Sequence, residues 1–321
     1  IKEYKNKQSA SIEKGSGLGL LRNPKYSVFT NISKNHSTST ELTIFQRSQD
    51  IILVTKTNRR STVDRPLHMD AIGIKKFDND GTVAGYRLFV GLFTPNAYNS
   101  PPSLIPLLRK KLKNVFKCSN FSPSSHNGFK LKNVLETYPR DELFQITENT
   151  LLETALGILA LEKRPRTAVF IREDKFKRFC SCLVYISREK YNTDLRHSIE
   201  TILTAELNGS ISAFYVQLDD NPLARCQIIV KMLGSVIPNY SRKKIETKLT
   251  EVTQSWSDNL KNTLKTKHGG DKAFEIEKRW VNRFEPGYKD LYNSSEVVED
   301  IFYLEKTLET GQISLNLYRS K

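Results

Sequence analysis

Four cysteines and five histidines are the residues of this sequence best suited to metal or nucleophilic chemistry. Cys180 and Cys182 are two positions apart in a predicted strand, so both thiols face the same side of that strand. A zinc site would need further ligands. Cys118 and Cys226 are distant in the sequence, and the nearest histidine, His197, belongs to the following predicted helix. We therefore interpret the pair as buried structural cysteines and predict no metal-binding residue.

The histidines do not pair with a cysteine, a serine or a carboxylate at a spacing typical of nucleophilic catalysis. They are His36, His68, His126, His197 and His268. His68 directly precedes a predicted strand, which favours a structural role. The sequence therefore predicts no catalytic residue.

Glycines at positions 15, 17 and 19 superficially resemble the phosphate-binding loop of dinucleotide-binding proteins. That loop follows a hydrophobic strand, which brings its glycines to a helix N-terminus that faces the phosphates. Residues 7–14 do not form such a strand. We predict a flexible turn here and no cofactor-binding residue.

Charged residues in two short segments could bind a ligand or bridge parts of the fold. Asp141 and Glu142, which follow Arg140, are adjacent in sequence rather than paired across a cleft, so glycosidase-type chemistry is disfavoured. We expect them to cap a helix or to bridge modules by pairing with arginines. Residues 59–65 (Arg-Arg-Ser-Thr-Val-Asp-Arg) could bind an anion in a loop, but a turn with a local ion pair explains the segment equally well.

The formal net charge of +15 raises the question of nucleic-acid or anionic-membrane binding. The densest basic run, residues 109–113 followed by Lys117, lies on a predicted amphipathic helix. It is not accompanied by an RNA-binding aromatic signature, zinc-finger spacing or a leucine zipper. We therefore favour solvated lysine-rich faces over nucleic acid as a partner.

Composition also limits the cellular setting. The sequence has no run of about 18 apolar residues, so it predicts no membrane span. Its first dozen residues lack the apolar core of a signal peptide. The cysteines are too few and too scattered for a disulfide framework and suit a reducing compartment. We predict a cytoplasmic protein.

A first predicted module, residues 51–165, combines strands with helices. Ser100 is predicted to cap a helix that has Pro101 in its first turn and ends near residue 116. The apolar stripe of this helix comprises Leu104, Leu107, Leu108 and Leu112. Strands are predicted at 51–55, 71–77 and 82–93, a hairpin turn at 79–81, and further helices at 128–136 and 150–161.

Pro165 separates this module from a second one, residues 166–255. Thr193 is predicted to cap a helix that ends at Leu207, before Asn208 and Gly209. Strands are predicted at 167–172, 179–186, 211–218 and 224–232. Two strand pairs around one helix, followed by another helix, predict a small antiparallel sheet with helices on one face.

Residues 256–312 are predicted to form a helical segment, and the two ends of the chain, 1–50 and 313–321, are predicted to be parts of incomplete units. A long amphipathic helix is predicted from Ser241 to Leu264, a second helix ends at Pro286, and a capping box of Asn293 and Glu296 starts a third that stops at Gly311. Residues 1–50 are a polar tail or the remnant of a preceding domain, with strands predicted at 26–29 and 41–45. A further strand is predicted at 313–318. Because both ends look cut, we expect a longer protein.

Several blocks of this sequence resemble the non-catalytic N-terminal region of the large bacterial NAD-specific glutamate dehydrogenases. They are LVTKTNRRSTVDRPLHMDAIGIKKFD (53–78), YRLFVGLFT (86–94), IPLLRKKL (105–112), LETYPRDELFQIT (135–147) and LALEKRPRTAVFIREDKFKRFCSCLVYISREKYNTDLR (159–196). The helical segment is similar more weakly, through FEPGYKDLY (284–292) and NLYR (316–319).

The resemblance implies an α+β fold. A PAS-like α+β module (51–165) would precede an ACT-like, ferredoxin-like antiparallel sheet module (166–255) and a helical tail (256–312). Residues 313–321 would begin a truncated next ACT-like module. The resemblance also implies that the complete enzyme oxidatively deaminates glutamate to 2-oxoglutarate and ammonia with NAD in the cytoplasm. The family's catalytic lysine and aspartate and its dinucleotide-binding glycines lie downstream, so no site residue is carried over.

The partners implied are the rest of the polypeptide, other subunits of a homo-oligomer, and an amino-acid effector. Many ACT domains have glycine in the effector loop between strand and helix, whereas residues 187–192 have none. A purely architectural role is therefore an equal alternative. Two other hypotheses remain open from the sequence, namely a basic nucleic-acid-binding module and a free-standing small-molecule sensor.

Overall fold

The computed structural model describes residues 2–3, 10–11, 13–23, 45, 48–63, 66–219, 221–233 and 237–315. The first of its two sheets is antiparallel, with strand order β2-β1-β5-β4-β3. Its strands are β1 (Lys2–Glu3), β2 (Ala10–Ser11), β3 (Ile52–Arg60), β4 (His68–Phe77) and β5 (Val83–Gly91). The three long strands confirm the strands predicted in this part of the chain.

The hairpin between β4 and β5 has the predicted turn. The Asp78 carboxylate accepts hydrogen bonds from the backbone N–H groups of Asp80 (3.1 Å) and Thr82 (2.8 Å). Gly81 has a φ of +75°, which a side-chain-bearing residue rarely adopts. Asp78 and Gly81 together thus fix the turn that pairs the two strands.

Five helices follow the first sheet. They are α1 (Pro95–Asn99), α2 (Pro106–Cys118), α3 (His126–Glu136), α4 (Arg140–Gln145) and α5 (Glu148–Lys163). The prediction that Ser100 caps the main helix was wrong, because α2 begins only at Pro106. Ile105 is held in an extended conformation (φ −89°, ψ 116°), as expected for a residue before proline.

The late start of α2 also changes its buried face. Leu108 is fully buried and Leu112 is partly buried, as predicted, but Leu104 is 68% and Leu107 is 39% exposed. Leu104 lies in the preceding 3-10 turn rather than in the helix. Val115 completes the buried stripe instead, one helical turn beyond Leu112.

The second sheet is also antiparallel, with strand order β6-β7-β9-β8. Its elements are β6 (Ala168–Glu173), β7 (Phe179–Ser187), α6 (Thr193–Leu207), β8 (Gly209–Gln217), β9 (Leu223–Met232) and α7 (Arg242–Thr253). Strand β9 lies between β7 and β8, which α6 connects, so these elements form a split βαβ unit. At the outer edge of β6, the backbone N–H of Val169 donates to the Glu246 carboxylate of α7 (3.2 Å).

The ends of α6 follow from residue chemistry. Asn192, not Thr193 as predicted, is the N-cap, since its side chain accepts from the Leu195 backbone N–H (2.8 Å). At the other end, Asn208 adopts the left-handed conformation (φ 49°, ψ 57°) that ends the helix, as the sequence predicts.

Both faces of the second sheet are covered where β6 and β7 lie. One face packs against α6 and α7 through a cluster that includes Val184, Ile199 and Leu249. The opposite face packs against α2, α3 and α5 through a cluster that includes Phe170 and Leu151. Four of the five helices before Pro165, α2 to α5, thus share a hydrophobic core with the sheet that follows it.

The helical tail contains four helices, α8 (Trp256–His268), α9 (Gly270–Trp280), α10 (Pro286–Leu291) and α11 (Ser294–Thr310). The single long helix predicted from Ser241 was wrong. Ser255 and Asp258 form a capping box that starts α8 as a separate helix. The predicted capping box of Asn293 and Glu296 is present at the start of α11.

The end of the described chain departs from the prediction. Residues 313–315 are not in a strand, and residues 316–321 lie outside the described residues. The strands predicted at 26–29 and 41–45 also lie outside them, apart from the buried Phe45. A search of the described residues found no helix that combines the length and the apolar character of a membrane span.

Candidate functional site

A cavity of about 280 Å³ lies between the two sheets and is bordered by α4. The first sheet contributes side chains from β3 and from the start of β4, and the second sheet contributes side chains from β7, β8 and β9. The lining residues are Lys56, Thr57, Arg60, Pro66, Leu67, His68, Asp141, Glu142, Gln145, Arg178, Phe179, Ser212, Ala213, Phe214, Tyr215, Gln227, Ile229 and Lys231.

Strand periodicity places one row of these side chains on the cavity face of β9. Gln227, Ile229 and Lys231 alternate along the strand, so all three point to the same side. Tyr215 of β8 is directly opposite Gln227 in the register. The side chains of Tyr215, Gln227 and Lys231 make no hydrogen bond to any other described residue, so their polar groups are available to a ligand.

A bulge in β8 brings Ser212 to the cavity. The register between β8 and β9 shifts between Ile211 and Ala213, so Ser212 and Ala213 both line the cavity although they are neighbours in sequence. The backbone carbonyl of Ser212 accepts from the Arg60 guanidinium (3.1 Å). This contact joins the edge of the second sheet to the end of β3.

His68 connects the sheets through both ring nitrogens. Its Nδ1 lies 3.0 Å from the carbonyl oxygen of Thr57, which can only accept, so Nδ1 carries the proton. In the neutral ring Nε2 then accepts from the Ser212 hydroxyl (3.3 Å). Burial and the nearby cations Arg60 and Lys231 lower the pKa of His68.

The Ser212–His68 pair has the residue types of a nucleophile and its general base, but its surroundings favour a structural role over catalysis. In serine hydrolases a carboxylate accepts from Nδ1 and stabilises the imidazolium. Here Nδ1–H donates to a backbone carbonyl, and the cations oppose protonation of the ring. His68 is therefore a weak base, and we interpret the pair as a structural link between the two sheets.

Lys56 is held between two carboxylates. Its Nζ lies 2.7 Å from Asp70 and 3.2 Å from Asp141, and its side chain is 17% exposed. Burial acts to lower the pKa of Lys56, but Asp141 and Asp70 outweigh it and raise the pKa. Asp141 also accepts from the Tyr98 hydroxyl (2.8 Å). The ammonium of Lys56 is thus committed to the protein.

Two arginines of the second sheet reach across the same region. Arg172 makes a bidentate pair with Glu142 of α4 (2.6 and 2.9 Å), and the two side chains are only 10% and 3% exposed. Arg178 pairs with Asp174 (2.8 Å) and also donates to the Thr55 hydroxyl (2.7 Å) of β3. These contacts fix the position of β3 and α4 against the second sheet.

The charged segments identified in the sequence meet at this cavity. Asp141 and Glu142 lie in the first turn of α4 and pair with Lys56 and Arg172, which confirms that they bridge parts of the fold. Arg140 donates to the backbone carbonyl of Ser100 (2.8 Å). Within residues 59–65, Arg60 reaches Ser212, whereas residues 64 and 65 lie outside the described residues.

The cysteines and the glycines identified in the sequence do not line the cavity. Cys180, Cys182 and Cys226 are buried in the same apolar cluster, whereas Cys118 is exposed. Burial raises the pKa of Cys180 and of Cys226 to about 12, which keeps both thiols protonated and unreactive. Among the described residues no group of three or more His, Cys, Asp or Glu could hold a metal ion. Gly15 lies in an exposed turn, Gly19 begins a 3-10 helix, and Gly17 lies between them.

The remaining histidines are dispersed. His126 begins α3, His268 ends α8, and His36 lies outside the described residues. His197 is exposed on α6 and lies 3.2 Å from the Glu200 carboxylate.

The basic run on α2 does not form a uniform cationic surface. Lys111 turns inward and donates to the carbonyl oxygens of Leu143 (2.8 Å) and Ile146 (2.7 Å) at the end of α4. Its ammonium thereby satisfies helix-terminal carbonyls that would otherwise be buried without a donor. Arg109 and Lys110 remain exposed on the outer face.

The loop between β7 and α6, residues 187–192, contacts other parts of the protein. Residues Arg188–Lys190 form a 3-10 turn, in which Arg188 donates to the carbonyl oxygen of Asp219 (2.7 Å). Lys190 pairs with Asp258 (2.5 Å), the capping residue of α8. This loop therefore joins the second sheet to the helical tail.

Sequence reasoning missed Lys56, Tyr215, Gln227 and Lys231 as site residues. A signal for two of them was present, because Gln227 and Lys231 are polar residues on one face of the otherwise apolar stretch Cys226 to Met232. The contribution of β3 could not be found in this way, because it depends on how the two sheets pack.

Two protein families match parts of this chain. Residues 105–164 match the family described as glutamate dehydrogenase, helical motif 1. Residues 168–257 match the family described as glutamate dehydrogenase, ACT2 domain. The gap between the two matches contains Pro165, and the second match covers the whole second sheet together with α6 and α7.

Three similar proteins carry the name NAD-specific glutamate dehydrogenase. The protein from Halomonas elongata is 37% identical over 264 residues, which is 82% of this chain and 16% of that protein. The protein from Pseudomonas aeruginosa is 30% identical over 86% of this chain and 17% of its own length. The protein from Mycobacterium tuberculosis is 28% identical over 72% of this chain and 15% of its own length. The chain thus spans about a sixth of the relatives that it matches.

Proposed function

Because the chain belongs to the NAD-specific glutamate dehydrogenase family, as an N-terminal region of it, we propose that it is a non-catalytic regulatory and assembly segment. The parent enzyme would oxidatively deaminate L-glutamate to 2-oxoglutarate and ammonia with NAD in the cytoplasm. The segment itself would hold neither NAD nor the reacting atoms. Its partners would be the rest of the polypeptide and other subunits of a homo-oligomer.

The observation that carries this proposal is the use of charged side chains in the site. Lys56, Glu142, Arg172 and Arg178 are all engaged in buried contacts between elements. A catalytic acid or base must be able to reach a substrate proton. Side chains committed in this way hold modules together, which suits a segment whose role is to position other parts of an enzyme.

The domain organisation is part of the proposal. The second sheet with α6 and α7 would be the ACT-like module, residues 166–255, and residues 256–312 the helical tail. Residues 51–165 would correspond to the PAS-like unit. Four of its five helices share a hydrophobic core with the ACT-like sheet, so the two units would move together rather than independently.

A comparison of two proteins would test the proposal. The 321-residue chain alone is expected to show no glutamate-dependent reduction of NAD, measured by absorbance of the reduced cofactor. The parent enzyme without this segment is expected to keep its active site but to change in oligomeric state, measured by light scattering. Reduction of NAD by the isolated chain would overturn the non-catalytic assignment. An unchanged oligomeric state and unchanged kinetics after deletion would overturn the assembly and regulatory role.

A further inference from the structure

We propose that the cavity between the two sheets binds a small organic carboxylate, whose negative end contacts Arg60 and Lys231 and whose body lies against Phe179 and Ile229. This site is on the opposite face of the second sheet from α6, and it does not use the loop at residues 187–192. Binding at this site does not depend on the proposed function. Only a regulatory effect of the bound ligand on the parent enzyme would rest on it.

The charges around the cavity are distributed unevenly. Three charged side chains of the lining have ion-pair partners. Lys56 pairs with Asp70 and Asp141, Glu142 pairs with Arg172, and Arg178 pairs with Asp174. At the end of β3, Arg60 donates to the neutral carbonyl of Ser212, and near the end of β9, Lys231 has no ion-pair partner among the described residues. This end of the cavity therefore carries uncompensated positive charge and favours an anion.

Both uncompensated cations are at the solvent side of the cavity. Arg60 and Lys231 are exposed, whereas Thr57 and Glu142 are buried. A ligand can thus reach the cations without displacing a buried ion pair. The guanidinium of Arg60 has further N–H donors besides the one used by Ser212, and they suit the two oxygens of a carboxylate.

The rest of the lining selects the size and character of the ligand. The volume of about 280 Å³ lies at the lower limit of pockets for drug-sized ligands, which range from about 300 to 1,000 Å³, so a nucleotide is disfavoured and a small metabolite fits. Phe179 and Ile229 provide apolar surface. Tyr215 and Gln227 provide polar groups that no other described residue satisfies, as expected of a site that orients a ligand.

The experiment is a calorimetric titration of the 321-residue chain with 2-oxoglutarate and, separately, with L-glutamate, which adds an amine to the same carbon skeleton. Saturable binding is expected for at least one of them. A preference for L-glutamate would support the site and add an amine contact toward Asp141. A preference for 2-oxoglutarate would support it as a pure anion site.

Substitutions locate the binding. Lys231→Met is expected to weaken binding at least tenfold, because it removes a charge that is not needed for packing. The control Lys132→Met removes a lysine that is 65% exposed on α3 and is expected to leave binding unchanged. NMR of the His68 imidazole is expected to show a ligand-dependent shift, because the bound charge would lie beside the ring.

Three outcomes would overturn the inference. They are absence of saturable binding of both carboxylates at millimolar concentration, equal binding by wild type and Lys231→Met, and an unperturbed His68 resonance on saturation. Failure of binding would leave the assembly role intact, since that role is tested by deletion of the segment and by its oligomeric state.

Discussion

The two antiparallel sheets are stabilised in different ways. The second sheet is covered by α6 and α7 on one face and by the preceding helices on the other, and its buried side chains are mainly apolar. The described core of the first sheet is a small cluster around Phe45, Leu53 and Tyr86. Its buried residues also include the polar or charged Thr55, Thr57, Asp70 and Lys75.

The difference shows that one chain combines a rigidly packed second sheet with a first sheet whose position depends on polar contacts. Apolar packing over both faces is strong but non-directional, and it fixes the second sheet by shape. The first sheet is positioned instead by directional contacts, such as those from Lys56 and Arg178. Because polar contacts depend on charge and solvation, the junction between the sheets is where a bound anion would have the most effect.

The largest expected loss of stability comes from a substitution in the apolar core of the second sheet. Phe170→Ala is expected to lower the free energy of unfolding by about 4 kcal/mol, because the ring is 6% exposed and its loss leaves a cavity. Gly157 of α5 approaches this ring so closely that an added Cβ would lie 2.5 Å from it. Urea denaturation followed by circular dichroism would measure the loss.

A phenylalanine of the first sheet provides the matched control. Phe77 is 48% exposed, so Phe77→Ala is expected to cost about 1 kcal/mol or less. Equal losses for the two variants would contradict the contrast between the sheets.

The next largest effect concerns the buried ion pair between β6 and α4. Arg172→Met is expected to cost about 3 kcal/mol, because it leaves the Glu142 carboxylate, which is 3% exposed, without its partner. The double variant with Glu142→Gln is expected to recover part of this loss, since no uncompensated buried charge remains. Chemical denaturation of the single and double variants would measure both effects.

Lys175→Met is the control for this pair. Lys175 contacts Asp50 at 2.5 Å, but the two side chains are 37% and 58% exposed. Such surface pairs contribute about 0–1 kcal/mol. A loss from Lys175→Met as large as that from Arg172→Met would show that burial does not set the strength of these contacts.

The smallest expected effect depends on pH and concerns the contact of the second sheet with the tail. Partial burial acts to raise the pKa of Asp258, but hydrogen bonds from Lys190 and Ser255 outweigh it and lower the pKa to about 2. The stabilisation is therefore present above the ordinary value of 3.8 and is lost as the pH falls toward 2. Since both side chains are more than a third exposed, the effect is expected to stay below about 1 kcal/mol.

The measurement is the difference in unfolding free energy between wild type and Lys190→Met at pH 5 and at pH 3. The difference is expected to shrink at the lower pH. A difference that grows on acidification would show that Asp258 is not held in its charged form by Lys190.

The second sheet was predictable from the sequence because its signals are local. The strands alternate or are continuously apolar, and Asn208 marks the end of α6 through its own backbone preference. The errors arose where neighbouring signals compete. Pro106 displaced the helix start expected at Ser100, and the capping box at Ser255 divided a regular apolar repeat into two helices.

The candidate site was predictable only in part. The bridging role of Asp141 and Glu142 followed from their adjacency and charge. The partnership of Lys56 with Asp141 joins residues 85 positions apart, and that of His68 with Ser212 joins residues 144 apart. Contacts of this range depend on the packing of two sheets, which no local pattern in the sequence encodes.

The hydrogen bond between the Val169 backbone and Glu246 has a consequence for self-association. An edge strand offers unpaired N–H and C=O groups to which the strand of another molecule can add. At Val169 the outward donor of β6 is already used by a side chain of the same chain. A strand arriving at this edge would first have to displace Glu246, so growth of the sheet from one molecule into the next is opposed there without a covering domain.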